Sequence, residues 1–139
     1  EQFIYSDSKT ADEFYNLEEY LQKIAYLVNV SSRRVKYIQK IEAIQLNIDT
    51  ALPIGILINE LISNSIEHAV TEGPLKINVK IKKKGNLIHI TYSDSGTIFI
   101  KDPKVDTLGL FIIDSMVAQL DGKIEREKST FKIVLQYKN

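Results

Sequence analysis

The order of the predicted helices and strands places this chain in the α/β (α+β) class, as a two-layer sandwich. Hydrophobic periodicity predicts a helix, two extended segments, a second helix, a hairpin, a third helix and a closing hairpin. Antiparallel hairpins interleaved with helices favour a mixed, mainly antiparallel sheet with about three helices on one face. The pattern differs from the strict alternation of helices and strands that a doubly wound parallel sheet requires.

Composition supports a single domain with one core. The chain has 139 residues, of which 44% are hydrophobic. Its 18 basic and 18 acidic residues balance, so we expect no nucleic-acid partner and no membrane contact by this domain. Cysteine is absent, which excludes disulfides and thiolate metal sites and favours the reducing cytoplasm. The sequence begins with Glu1, so we expect a longer parent protein, which could itself carry a membrane anchor.

The first part of the chain predicts a connector followed by a capped helix. Residues 1–14 are polar with weak periodicity and are interpreted as a connector, which leaves 15–139 as the domain. Asn16 followed by Glu19 is a capping pair, and apolar residues then recur at helical spacing. We expect this first helix to end near Asn29.

Two further helices are predicted from their start and stop signals. Asp49 or Thr50 is expected to cap the second helix, with Pro53 in its first turn, where a missing N–H costs little. This helix is expected to run to about Ala69. The third helix is expected to cover about 108–120.

The predicted strands are short and mostly alternate between apolar and polar residues, as half-buried strands do. His89 lies out of phase with Ile88 and Ile90, which predicts a surface position for its imidazole. Extended segments are expected at residues 35–44, 46, 75–82, 88–92, 123–126 and 131–137.

The second predicted helix carries three polar residues at a regular spacing of four, which places them on one face. Glu60, Asn64 and His68 follow one another at intervals of four and therefore share one helix face. Apolar neighbours together with Ser65 supply packing on the other side. A carboxylate and a carboxamide one turn apart need a partner if they face the core. Alternatively, both groups simply face water at the edge of the sheet, and the spacing alone leaves both interpretations open.

Two glycine-containing segments add weaker signals. Asp94 and Gly96 follow a predicted strand, where a carboxylate can hold a donor group while the glycine backbone comes close to a ligand. Such triplets also end strands as ordinary turns. Gly109 begins the third helix, whose free N–H groups and partial positive charge suit a phosphate.

Taken together and in this order, the three motifs resemble the histidine-kinase branch of the superfamily that also holds gyrase, mismatch-repair and chaperone ATPases. In these kinases the helix motif reads Asn-Glu-Leu-x-x-Asn-Ala-x-Lys-His-Ala, and residues 59–69 here read NELISNSIEHA. The similarity extends over nearly the whole chain. It implies the ATP-binding catalytic domain of a sensor histidine kinase in two-component signal transduction. Such an enzyme transfers the ATP γ-phosphoryl group to a histidine, here on a segment absent from this chain.

The resemblance implies roles for individual residues, with ATP and Mg²⁺ as cofactors. Asn64 would bind Mg²⁺ through its carboxamide oxygen, and Glu60 would polarise the nucleophile or its water near the γ-phosphate. Asp94 would accept the adenine amino group, and Gly96 would leave room for the ring.

Further residues would complete the nucleotide site. Gly109 and Leu110 would face the phosphates from the start of the third helix. His68 would lie near the same phosphates, although it could equally cap the end of its helix. Ser129 could supply a hydroxyl near the adenine.

The sequence also departs from the family pattern at several positions. Ile98 replaces the second glycine of the adenine loop, and Glu67 replaces a lysine of the helix motif. Thr107 replaces the first glycine of the phosphate loop, and Lys128-Ser129 stand where Gly-Thr is usual. These departures leave ATP binding as the expectation and turnover as an open question.

The expected partners follow from the histidine count. His68 and His89 are the only histidines, and neither belongs to a separate helical hairpin with an acceptor pattern. The acceptor would therefore come from a phospho-accepting hairpin of the parent kinase or from another protein, with a response regulator downstream. Two alternatives remain: a degenerate, non-catalytic nucleotide-binding or docking module, and an anti-sigma-type serine kinase of the same fold.

Overall fold

A computed structural model describes residues 14–19, 21–23, 34–42, 44–96 and 107–137. The predicted connector, 1–14, lies outside the described residues except for its last residue, Phe14. The end of the first helix near Asn29 and the position of Ile98 also lie outside them. The elements in chain order are β1 (Phe14–Asn16), α1 (helical at 17–19 and 21–23), β2 (Val35–Ile41), β3 (Gln45–Asn47), α2 (Ile48–His68), β4 (Leu75–Lys84), β5 (Leu87–Asp94), α3 (Thr107–Gln119), β6 (Lys123–Glu127) and β7 (Thr130–Gln136).

The main sheet is five-stranded and mixed, with the order β2-β4-β5-β7-β6. Among the strands that the structure describes, only β2 and β4 pair in parallel; the pairs β4–β5, β5–β7 and β6–β7 are antiparallel. Strands β1 and β3 form a separate antiparallel pair. The predicted mixed, mainly antiparallel sheet in a two-layer α/β fold is confirmed.

One face of the sheet forms the core together with the helices. Along β4, buried and exposed residues alternate, as the apolar-polar pattern predicts. The strand residues Ile81, Ile90 and Ile133 are paired in one cross-strand row and are all buried. Helix α2 covers this face, and α3 packs against α2. The buried residues of α2 include Ile54, Leu57, Ile58, Leu61 and Ile62. The opposite face of β4 remains exposed to solvent.

The start of α2 differs from the prediction. The N-cap is Asn47, whose side-chain oxygen accepts a hydrogen bond from the Thr50 N–H at 3.1 Å. Neither Asp49 nor Thr50 is the cap, because the short strand β3 ends directly at Asn47 and the chain turns into the helix there. Pro53 therefore lies inside the helix, in its second turn and not in its first.

Two other boundaries also differ. The strand predicted at 35–44 ends at Ile41, after which the Glu42 side chain accepts from the Lys83 N–H at 2.9 Å. The strand β1 was not predicted; it is only three residues long and depends on pairing with β3. The Asn16–Glu19 cap is confirmed, since the Glu19 N–H donates to the Asn16 side chain at 3.1 Å. Within the described ranges, no helix has both the length and the apolar character needed to cross a bilayer.

Candidate functional site

The Asp94 carboxylate lies at the end of β5, and both of its oxygens accept hydrogen bonds. Oδ1 accepts from the Gly96 N–H at 2.8 Å, and Oδ2 accepts from the Ser65 hydroxyl at 2.6 Å. The Asp94 N–H donates to the Ser129 carbonyl at 3.2 Å, which ties the strand end to the β6–β7 turn. Each oxygen keeps further acceptor capacity, because an ionised carboxylate offers about four lone-pair sites. The orientation of the carboxylate is therefore fixed before any ligand arrives.

Gly96 lies where an added side chain would be crowded. A Cβ built on Gly96 would lie 2.9 Å from the Asp94 Oδ1 and 3.1 Å from the Cβ of Ala69 at the end of α2. The Ser129 hydroxyl donates to the Gly96 carbonyl at 2.9 Å. Three residues selected from the sequence, Asp94, Gly96 and Ser129, are thus brought together.

The contacts of Ser65 and Tyr92 were missed by the sequence analysis, which treated Ser65 as packing. The Ser65 Oγ lies 2.6 Å from the Tyr92 Oη, which also donates to the Leu61 carbonyl at 3.0 Å. Tyr92 is only 1% exposed, and burial raises the pKa of its phenol far above the usual value. Two signals could have revealed the pair: serine stands where the family motif has alanine, and a tyrosine hydroxyl at an inward-facing position needs a partner.

Glu60, Asn64 and His68 lie along one side of α2, as their spacing predicts. Glu60 and Asn64 are half-buried and not fully solvated. His68 lies in the last turn, 39% exposed, with its Nε2 3.6 Å from the Glu67 carboxylate.

The Asn64 side-chain oxygen is buried and has no hydrogen-bond partner in the part of the chain that the structure describes. An unpaired buried acceptor costs about 1–3 kcal/mol, so such an atom calls for an explanation. A carboxamide oxygen is a suitable ligand for a hard cation such as Mg²⁺. The donor chemistry at Asn64 therefore fits the expected metal.

The start of α3 supplies the second glycine site. Gly109 is buried and Leu110 is 40% exposed, both in the first turn of the helix that packs against α2. The N-terminal end of an α-helix carries a partial positive charge, which favours a bound anion. Thr107 is the first residue of α3, so the helix begins where the sequence predicts it within one residue.

The β6–β7 turn borders the same site. Lys128, where the family has glycine, has φ of +55°, a conformation that glycine adopts more readily. The Arg126 guanidinium lies 4.6 Å from the Phe131 ring centroid, and its Nε donates to the Lys128 carbonyl at 3.1 Å. Burial lowers the pKa of Arg126, and the charge of Asp94 opposes that shift. Arg126 is a further residue near the site that the sequence analysis did not select.

Solved structures of similar fold are histidine kinases. The histidine kinase domain of the EL346 blue-light-activated histidine kinase from Erythrobacter litoralis superposes with a TM-score of 0.78 at 20% identity, covering 96% of this chain and 67% of that one. The catalytic domain of histidine kinase ThkA gives a TM-score of 0.69 at 22% identity, covering 90% of this chain and 96% of that one. Histidine kinase AdeS from Acinetobacter baumannii gives a TM-score of 0.71 at 17% identity, covering 91% of this chain and 68% of that one. The chain has the fold of histidine-kinase catalytic domains, as the resemblance predicts.

Sequence comparison points the same way. Blue-light-activated histidine kinase 2 from Erythrobacter litoralis is 25% identical over 125 residues. The match covers 84% of this chain but only 36% of that protein, so the chain corresponds to about a third of this relative's length. No protein-family model matches the chain.

Proposed function

We propose that this chain is the ATP-binding catalytic domain of a sensor histidine kinase. The observation that carries the proposal is the 2.6 Å hydrogen bond from Ser65 to Asp94, which joins the helix motif to the strand-end motif within the fold of these kinases. The two motifs are distant in sequence, and their junction forms a polar site beside Gly96, where a Cβ would be crowded.

Asp94 selects the base by hydrogen bonding. Its remaining lone pairs accept from the exocyclic amino group of adenine, which is a donor. Guanine carries a carbonyl oxygen at the equivalent position, so an acceptor would face an acceptor there. Gly96 allows the Asp94 carboxylate and Ala69 to pack against its backbone, because a Cβ at this position would crowd both.

Residues of α2 and α3 bind the phosphate end. Asn64 holds Mg²⁺ through its buried side-chain oxygen, which otherwise lacks a partner among the described atoms. When bound, Mg²⁺ supplies positive charge that offsets the charge of the phosphate oxygens. The first turn of α3, at Gly109 and Leu110, faces the phosphates and stabilises their charge with the positive end of the helix dipole. His68, at the end of the same face of α2, is available as a further donor to phosphate.

Glu60 is the catalytic residue of the proposed transfer. It lies one turn before Asn64 on α2, so its carboxylate orients the attacking imidazole and accepts its N–H proton. The imidazole nitrogen forms the new bond to the γ-phosphorus, and ADP leaves with the electrons of the bond that breaks. The acceptor histidine belongs to a hairpin of the parent kinase, and a response regulator receives the phosphoryl group afterwards. We place this reaction in the cytoplasm, which suits a chain without cysteine.

Calorimetric titration with Mg²⁺–ATP tests the binding half of the proposal. We expect a dissociation constant in the micromolar range, on the order of −6 to −8 kcal/mol. Asn64→Ala should weaken binding about tenfold in the presence of Mg²⁺, because the carboxamide ligand is lost, and should have little effect in EDTA. Asn78→Ala, a carboxamide deletion on the exposed face of β4, is the matched control and should bind like the parent.

The degenerate-module alternative makes the opposite prediction. It is favoured by Glu67, whose carboxylate lies beside His68 where the motif has a lysine, so it would repel phosphate. In that case millimolar Mg²⁺–ATP should give no binding heat, and the Asn64 and Asn78 variants should be indistinguishable from the parent.

A further inference from the structure

Two buried hydroxyl groups lie directly behind the Asp94 carboxylate. Tyr92 and Ser65 are 1% and 4% exposed, and their oxygens lie 2.6 Å apart. Ser65 lies a further 2.6 Å from the Asp94 Oδ2. The line of atoms therefore runs from the core of the domain to the carboxylate at its surface.

The direction of these hydrogen bonds follows from counting protons. An ionised carboxylate only accepts, so the single hydroxyl proton of Ser65 is donated to Asp94. The Ser65 oxygen must then accept from Tyr92, whose own proton is shared between Ser65 at 2.6 Å and the Leu61 carbonyl at 3.0 Å. Burial raises the pKa of Tyr92, so the phenol keeps its proton and remains a donor.

We infer that Tyr92 and Ser65 are positioning residues that fix the Asp94 carboxylate for recognition of the adenine base. This inference rests on the proposed function. A carboxylate at the end of a strand would otherwise rotate freely about its last bond and lose that freedom on binding. With Ser65 on Oδ2 and the Gly96 N–H on Oδ1, its plane is set in advance.

The arrangement is an addition to the family motif quoted above. Serine occupies the place of the motif's alanine, and alanine would fill the helix position without a hydroxyl. Ser65 also directly follows Asn64, so neighbouring residues of one turn serve the base and the metal. Any shift of this turn would therefore change both ends of the nucleotide site together.

The test is a double-mutant cycle read by calorimetry with ATP and with GTP. Ser65→Ala should weaken ATP binding about five- to tenfold, the size expected for a hydrogen bond to a charged group, and should leave GTP binding unchanged. Tyr92→Phe should weaken ATP about two- to threefold. Because Tyr92 acts only through Ser65, the double variant should match Ser65→Ala alone.

Ser93→Ala is the matched control, a hydroxyl deletion on the same strand at a position that faces the opposite side of the sheet. It should keep the ATP to GTP preference of the parent. Thermal unfolding without nucleotide separates positioning from folding: lower stability with an unchanged ATP to GTP ratio would overturn the inference. If the unmodified chain binds no ATP, the proposed function and this inference are both overturned. If the unmodified chain binds ATP and the Ser65 and Tyr92 variants bind it equally well, only the inference is overturned.

Discussion

At the scale of single residues, the chemistry of the site depends on groups that are buried but polar. Tyr92 is among the largest fully buried side chains, and its hydroxyl has partners on two sides. Asn64 presents a buried oxygen that has none among the described residues. The first arrangement is complete without a ligand, and the second leaves an acceptor that the proposed Mg²⁺ would use.

The buried tyrosines predict a loss of stability in alkali. Burial raises the pKa of Tyr92 and Tyr37 well above the usual value of about 10, so the folded state keeps both phenols neutral. Their contribution is fully present below about pH 10 and is lost as pH rises from there, because the unfolded state ionises first. Tyr92→Phe should reduce the decline in unfolding free energy above pH 10 by up to about 1.4 kcal/mol per pH unit.

Urea denaturation of the parent and Tyr92→Phe at several pH values between about 8 and 11 measures this difference directly. The two curves should run parallel below pH 9.5 and diverge above it, as the phenol of the unfolded chain titrates near pH 10. Parallel curves over the whole range would show that Tyr92 ionises as readily in the folded protein as in the unfolded chain.

The sequence could predict the residues of the site better than their contacts. Asp94 and Gly96 were selected from one segment and Ser129 from another, and all three do lie together. The Ser65–Tyr92 contact was missed, because period-two and helical patterns say which side of an element a residue faces and not which atom it meets across the core. Local patterns carry no information about a hydrogen bond between residues 27 positions apart.

At the scale of elements, capping residues and strand pairing determine where the helices and strands begin and end. The sequence offered Asp49 and Thr50 as caps because both are good capping residues, and Asn47 was passed over although it is another. The choice between them depends on β3, which pairs with the unpredicted strand β1 and delivers the chain at Asn47. Tertiary pairing thus settled a boundary that local propensity left ambiguous.

Gly122 lies between α3 and β6, and a substitution there tests how closely the chain packs at this junction. A Cβ there would lie 2.5 Å from the Val134 carbonyl oxygen and 2.6 Å from a Leu135 methyl group, and the Gly122 N–H bonds the Val117 carbonyl at 2.9 Å. Gly122→Ala should lower the free energy of unfolding by about 1–3 kcal/mol, because backbone cannot move aside easily.

Lys123→Ala is a suitable control, since the neighbouring side chain is exposed and its removal should change stability by no more than about 0.5 kcal/mol. Chemical denaturation compares the two variants. Equal stability of Gly122→Ala and the parent would mean that β7 does not approach the end of α3 as closely as described.

At the scale of the whole molecule, the fold class could be predicted but not the strand order. Half-buried strands and amphipathic helices must bury their apolar faces against each other, which requires two layers. The sequence patterns that show this are local. The parallel pairing of β2 with β4, on either side of α2 in the sequence, joins distant segments and is not encoded in either strand alone. This crossover carries the chain through α2 and so places the helix motif over the sheet.

At the scale of the whole molecule, the proposed function requires phosphoryl transfer, and a transfer assay tests it most directly. The unmodified chain and the Glu60→Gln variant are each incubated with γ-labelled ATP and Mg²⁺. The acceptor hairpin of the full-length kinase is supplied as a separate polypeptide. Glu125→Gln, on the exposed strand β6, is the control for the loss of a carboxylate. Acid-labile label should appear on the acceptor with the parent and with Glu125→Gln. Glu60→Gln should bind ATP at least as tightly and transfer about 10²-fold more slowly. Label on His68 or His89 of this chain, or equal transfer by Glu60→Gln and the unmodified chain, would contradict the proposed transfer mechanism.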